Sequence, residues 1–248
     1  MTIHSVMKTT IPPISILKAF YWFGSFTLLL YLATRHVMPL LLQMKIHPAL
    51  SWFLASGFLV FIPLFVMTIR VTRREIKSRG RTEIMNRLWL KKLSRSDWAW
   101  TFTGVIIIIF TTGIIIYIVN KLFLFLGLGP LQTSPSFMHF DPLQPNEYWI
   151  LGIWVLFFFF NIVGEEVMWR GYLLPGLLIK YENKAWIINA VLWIFFHIPF
   201  GMHLIILVLP TFFLIPYIVQ KRKNTWIGII IHGAINAPGF ILVSFGIV

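Results

Sequence analysis

Residues 149–170 read WILGIWVLFFFFNIVGEEVMWR. The first fifteen carry no charge, yet crossing a hydrocarbon core takes about 20 residues at 1.5 Å rise each. A span that starts at Trp149 therefore runs on through Gly164, Glu165 and Glu166 toward Arg170. An ionised side chain at bilayer depth costs on the order of 2.5–3.5 kcal/mol on insertion scales. Two carboxylates and a guanidinium in one span mark a place where charge is used inside a membrane, for catalysis or transport.

The remaining composition agrees with a membrane chain. Hydrophobic residues make up 58% and charged residues 12%, against roughly 25% charged in a soluble domain. The expected fold class is all-α, a polytopic helical membrane bundle of about seven or eight transmembrane helices. Hydropathy places spans at 14–42, 50–69, 98–126, 149–172, 185–200, 203–219 and 226–248, the first and third long enough to tilt or break. We expect one transmembrane domain over 1–248, with its motif-bearing core at about 149–248 and no appended soluble module. Cysteine is absent, which excludes disulfides, thiolate catalysis and Cys-ligated metals.

The net charge of +13 is distributed in a way that argues against nucleic acid. Ten of the 21 Lys and Arg residues fall between Arg70 and Arg95, against only Glu75 and Glu83. A basic block beside a span belongs in the cytoplasm, next to anionic lipid. The connection 127–148 has no Lys or Arg and four prolines, and should lie outside. Lys180, Lys184, Lys221, Arg222 and Lys223 return inside, while Arg35, Lys45 and Lys121 fall at the outer side. Lys8 precedes an apolar run with no small-residue cleavage site, so the first span is expected to be retained. These readings put the N-terminus in the cytoplasm and the C-terminus outside. The small size fits a multi-pass protein of a bacterial cell membrane.

Three elements could do chemistry. Glu166 and Arg170 are four apart on a helix and share a face, so an internal ion pair is natural. Glu165 is rotated by about 100° and aligns with Asn161 and Trp169. One carboxylate is thus tied and the other free to act as a general base; the bland alternative is a packing salt bridge. Asn189, Trp193 and His197 stack on one face of a second span, with Pro199 and Gly201 breaking the helix just after. A lone histidine there is often only a packing residue. His232 and Asn236 share a face of the last span among the small residues Gly233, Ala234 and Ala237, which permit close helix approach. Both can donate hydrogen bonds to a developing oxyanion, or merely clamp two helices. At 1.5 Å per residue, Glu165, His197 and His232 lie roughly 10, 18 and 10 Å from the cytoplasmic face. His4, His36, His47, His139 and His203 read as loop or interfacial residues. The chain has no Gly-rich phosphate loop, no Gly-x-Ser-x-Gly elbow and no His-Glu-x-x-His helix, hence no cofactor signature.

Glu-Glu-x-x-x-Arg at 165–170, aromatic-x-x-x-His at 193–197 and His-x-x-x-Asn at 232–236, in this order and each on its own span, resemble the CPBP intramembrane endopeptidases. This family comprises CAAX prenyl proteases and bacteriocin-processing enzymes. The resemblance implies a glutamate-type protease in which Glu165 with His197 activates water. His232 and Asn236 would form the oxyanion hole, and Glu166 with Arg170 would support the catalytic helix. The implied partner is a membrane-associated peptide or protein substrate, prenylated or not, and no cofactor is implied. A divalent metal on Glu165, Glu166, His197 and His232 is the less favoured alternative, because adjacent helical carboxylates point about 100° apart. The second motif usually begins with Phe, and Trp193 stands there instead. Two rival classes are a transporter, which predicts paired halves although no internal repeat is seen, and a non-catalytic immunity or scaffold protein that only holds a peptide.

Overall fold

The computed structural model describes residues 11–76 and 80–247. Within them all regular structure is helical. The expectations placed on His4, Lys8, Lys77, Arg79 and Val248 lie outside the described residues.

Helix α1, Ile16–Gln43, starts where the Ser15 hydroxyl caps the Lys18 amide at 3.2 Å, satisfying one orphan donor of the first turn. It contains a π-helical turn at Ala33–Val37. Helix α2, Pro48–Glu75, begins with proline at the position where a missing N–H costs nothing. A short α3, Arg81–Arg87, lies within the basic loop, where no element was expected. Helix α4, Arg95–Phe125, opens on a capping box between Ser94 and Asp97. Its buried residues are Asp97, Thr101, Gly104 and Ile108, a single narrow stripe at helical spacing. Ile106, Ile109, Phe110 and Tyr117 are exposed, as residues facing acyl chains must be.

The motif-bearing half consists of α5 (Trp149–Glu166), a π-helical segment (Val167–Leu173), α6 (Leu174–Tyr181), α7 (Ala185–Phe196), α8 (Met202–Leu207), α9 (Leu209–Arg222) and α10 (Thr225–Ser244). At Glu182 the backbone turns to φ 50°, and the chain folds back. Asn189 then meets Trp169 and Trp193 meets Glu165, so partner numbers fall as residue numbers rise, the mark of an antiparallel helical hairpin.

Five stretches are long and apolar enough to cross a membrane: Ile16–Gln43, Pro48–Glu75, Arg95–Phe125, Trp149–Phe196 and Thr225–Ser244. The fourth contains the hairpin. The helical membrane bundle expected from sequence is therefore observed, with three corrections to its spans. The helix expected to end at 172 continues through the π-helical segment to Tyr181. The span expected over 185–200 stops at Phe196, because Pro199 cannot extend it. The span expected over 203–219 is two helices broken at Val208, the second reaching Arg222.

The ends facing the basic loop are fastened by backbone and side-chain hydrogen bonds. Thr225 N donates to Trp89 O at 2.9 Å and Thr225 Oγ1 to Leu88 O at 2.7 Å. Arg222 Nε donates to Asp97 Oδ1 at 2.8 Å. These bonds set the height at which α10 enters the bundle, and with it the height of His232.

Candidate active site

Glu165 and Glu166 close α5 directly before the π-helical segment. A π turn replaces i→i+4 with i→i+5 bonding and leaves carbonyls to be satisfied elsewhere. Arg87 does this from outside: its Nη1 donates to Gly171 O at 3.3 Å and to Tyr172 O at 3.4 Å. Arg87 is held in turn by Glu75 at 2.8 Å, which also accepts from the Tyr172 hydroxyl. The sequence reading placed Arg87 with the lipid-facing basic residues. It is only 4% exposed and braces the site helix instead.

The two carboxylates part as their 100° offset requires. Glu166 Oε1 accepts from Arg170 Nη1 at 2.9 Å and from His232 Nδ1 at 3.0 Å, and Glu166 and Arg170 are both fully buried. Gly228 makes room for this pair, since a Cβ there would strike Glu166 Oε2. Glu165 has a different partner: its Oε2 accepts from Trp193 Nε1 at 2.8 Å.

Trp193 is the hub on which the separate helices meet. The Arg170 guanidinium lies 3.5 Å from the centroid of its ring, a cation–π contact in a desolvated place. The imidazoles of His197 and His232 approach the same indole at 5.4 and 5.3 Å between centroids. His197 caps α7, and its Nδ1 lies 3.0 Å from Trp193 O. A carbonyl only accepts, so Nδ1 carries the hydrogen and Nε2 presents the lone pair. Gly201 at φ 90° allows the chain to leave this turn, a conformation other residues avoid. His232 Nδ1 faces a carboxylate, which also only accepts, so it too donates through Nδ1 and keeps Nε2 for another partner.

Five of the six residues singled out from sequence, Glu165, Glu166, Arg170, His197 and His232, thus converge around Trp193. Glu165 and His197 are joined through Trp193, the indole bonding one and the carbonyl the other, with no hydrogen bond between them. Asn236 does not join the cluster. It is exposed and makes no hydrogen bond among the described residues. Sequence reasoning noted Trp193 only as standing where Phe is usual and missed its donor role. The signal was present: tryptophan at a phenylalanine position adds one N–H, and a buried N–H needs an acceptor.

Several polar atoms in this layer are buried without a hydrogen-bond partner among the described residues, including Glu166 Oε2, Arg170 Nε and Nη2, Trp169 Nε1 and Asn189 Oδ1. The layer therefore has more hydrogen-bonding capacity than the fold itself uses. Among the described residues no three His, Asp or Glu side chains converge as metal ligands.

Residues 147–238 match the family model of the type II CAAX prenyl endopeptidases, Rce1-like. The family expected from the three motifs is thus found independently over the segment that contains them. This Rce1-like segment begins two residues before α5 and ends inside α10, so it encloses the Trp193 cluster together with Asn236. It supports an intramembrane protease of the CAAX type, acting on a membrane-associated protein or peptide. No curated protein and no solved structure matches the chain.

Proposed function

We propose that this protein is an intramembrane endopeptidase that hydrolyses a peptide bond of a membrane-associated substrate, with Glu165 as the base. The observation that carries the assignment is the unequal use of the two carboxylates. Glu166 is bonded to both Arg170 and His232 and has a structural task. Glu165 holds one neutral donor and keeps an oxygen for a reacting proton.

In the proposed reaction Glu165 takes a proton from water, and the water oxygen adds to the scissile carbonyl carbon. His197 Nε2, with its lone pair free, accepts a hydrogen bond that orients that water. Negative charge develops on the carbonyl oxygen. In the proposed reaction His232, held through Nδ1 by Glu166, donates to that oxygen through Nε2 when its imidazole carries a second proton, as an oxyanion site requires. Asn236 lies one turn further along α10, its amide unengaged among the described residues and open to substrate. Collapse breaks the C–N bond, and Glu165 delivers its proton to the leaving nitrogen.

We propose this chemistry without a resident metal, because Glu166 and His232 are each other's partners and Glu165 is engaged by Trp193. A strong chelator should leave turnover intact. The exposed Arg70, Arg73, Arg74, Lys91 and Lys92 are proposed to lie against anionic lipid at the cytoplasmic face, with the N-terminus on the same side, in a bacterial cell membrane. The test of the central assignment is Glu165→Gln, nearly isosteric, assayed on membrane-embedded peptide libraries. Turnover should vanish while substrate binding persists; wild-type turnover in this variant would remove Glu165 as the base.

A further inference from the structure

The end of the bundle opposite the basic loop holds a cavity of about 100 Å³ between the π-helical turn of α1, the 127–148 connection and the Gly201 turn. Its polar lining includes Arg35, Gln132, Ser134 and His203, its apolar lining Phe137 and Phe200, and no carboxylate takes part. Arg35 makes no hydrogen bond or ion pair among the described residues. His203 Nδ1 accepts from the Gln132 amide at 3.0 Å, so its hydrogen sits on Nε2, and that donor has no hydrogen-bond partner among the described residues. The cavity thus has a permanent cation, a spare N–H and apolar walls, with nothing negative to complete them.

Depth says what belongs there. Arg35 lies 17 residues after Lys18 on the same helix, about 26 Å along its axis. A hydrocarbon core is about 30 Å thick, so with Lys18 at one headgroup layer Arg35 reaches the other. Arg35 is also one of few basic residues on that side, and it occupies a π-helical turn, a distortion frequent at functional sites.

We propose that this cavity seats the phosphate of an anionic phospholipid of that leaflet, with Arg35 as counter-ion and His203 Nε2–H as second donor, the glycerol lying against Phe137 and Phe200. Free phosphate shares the chemistry and is the other possible source. The inference is independent of the protease reading, because its test reads binding alone.

The experiment is native mass spectrometry of the purified full chain titrated with phosphatidylglycerol, phosphatidylcholine or inorganic phosphate. Wild type should retain phosphatidylglycerol in preference to phosphatidylcholine. Arg35→Gln and His203→Ala should each weaken it about tenfold, the effect of losing one charge-assisted bond, and Arg35→Lys should restore part of the loss. Lys121→Ala, removing a cation of the same face outside the cavity, should change nothing. Inorganic phosphate that displaces the lipid from wild type would uphold the site and name the soluble anion as its occupant. Unchanged lipid binding in Arg35→Gln, or an equal loss in Lys121→Ala, would overturn the proposal. So would retention of a peptide carboxylate with no phospholipid. Arg35 is exposed, so an unchanged melting temperature should accompany its variants and separate lost binding from lost folding.

Discussion

The indole of Trp193 donates to Glu165 across 2.8 Å, joining two helices at the carboxylate of the Glu165–Glu166 pair that has no ion-pair partner among the described residues. This single bond orients the proposed base, and its donor is a group that phenylalanine lacks. Trp193→Phe keeps an aromatic ring in the helix and the backbone bond to His197, removes the N–H, and also shrinks a fully buried indole to a phenyl. A hydrogen bond to a charged group contributes about 1.5–3 kcal/mol, so turnover should fall about tenfold or more even at temperatures well below the lowered melting point of this variant. Wild-type rates in this variant would show that Glu165 needs no such positioning.

Glu165→Gln and Glu166→Gln should separate chemistry from stability. Glu166 is the shared acceptor of Arg170 and His232, with no exposure to solvent. Neutralising one member of a buried pair leaves an uncompensated charge, at a cost of about 3–5 kcal/mol. Glu166→Gln should therefore melt markedly earlier in detergent than either wild type or Glu165→Gln. Equal melting of the two variants would contradict the division of labour.

Gly228→Ala adds one methyl group where Glu166 Oε2 already sits. Either α10 shifts away from α5 or the carboxylate rotates, and both separate His232 from Glu166. Loss of turnover is expected at nearly normal expression, together with a shifted His232 imidazole resonance if that residue is labelled for NMR. An unmoved resonance would mean that the contact is easily relaxed.

Arg87→Met should destabilise by about 1–3 kcal/mol, because the carbonyls of the π-helical segment lose a buried donor. Arg70→Met, an exposed residue of the same basic cluster, should stay within about 0.5 kcal/mol. Thermal melts of the two in detergent give the comparison directly. Similar values would return Arg87 to the lipid-facing set.

Asn236→Ala tests the one site residue that stands apart. An exposed side chain without partners should be replaceable within about 0.5 kcal/mol of stability. If its amide stabilises the oxyanion, turnover should drop about 10²–10³-fold. Unaltered turnover would leave His232 as the only side-chain donor.

Much of this arrangement was legible in the residue pattern. Helical periodicity alone separates Glu165 from Glu166 and pairs the latter with Arg170, and that pair is observed. Pro199 and Gly201 announced the break after His197. Less was legible at Val208 and in the basic loop, because hydropathy averages over a window. It cannot see a one-residue break inside an apolar run, or a single arginine turned inward among nine other cations.

Class, helix faces and the order of the motifs follow from local rules: how many apolar residues cross a bilayer, and which positions share a side of a 3.6-residue helix. Those rules act along one chain segment at a time. That His232 bonds Glu166, that Trp193 holds Glu165, that Arg87 is buried and that Asn236 stands apart were decided only by packing. Each depends on the rotation and height of one helix against another. Those quantities are set by contacts between residues distant in sequence, such as Thr225 against Leu88 and Gly228 against Glu166, which no periodicity encodes.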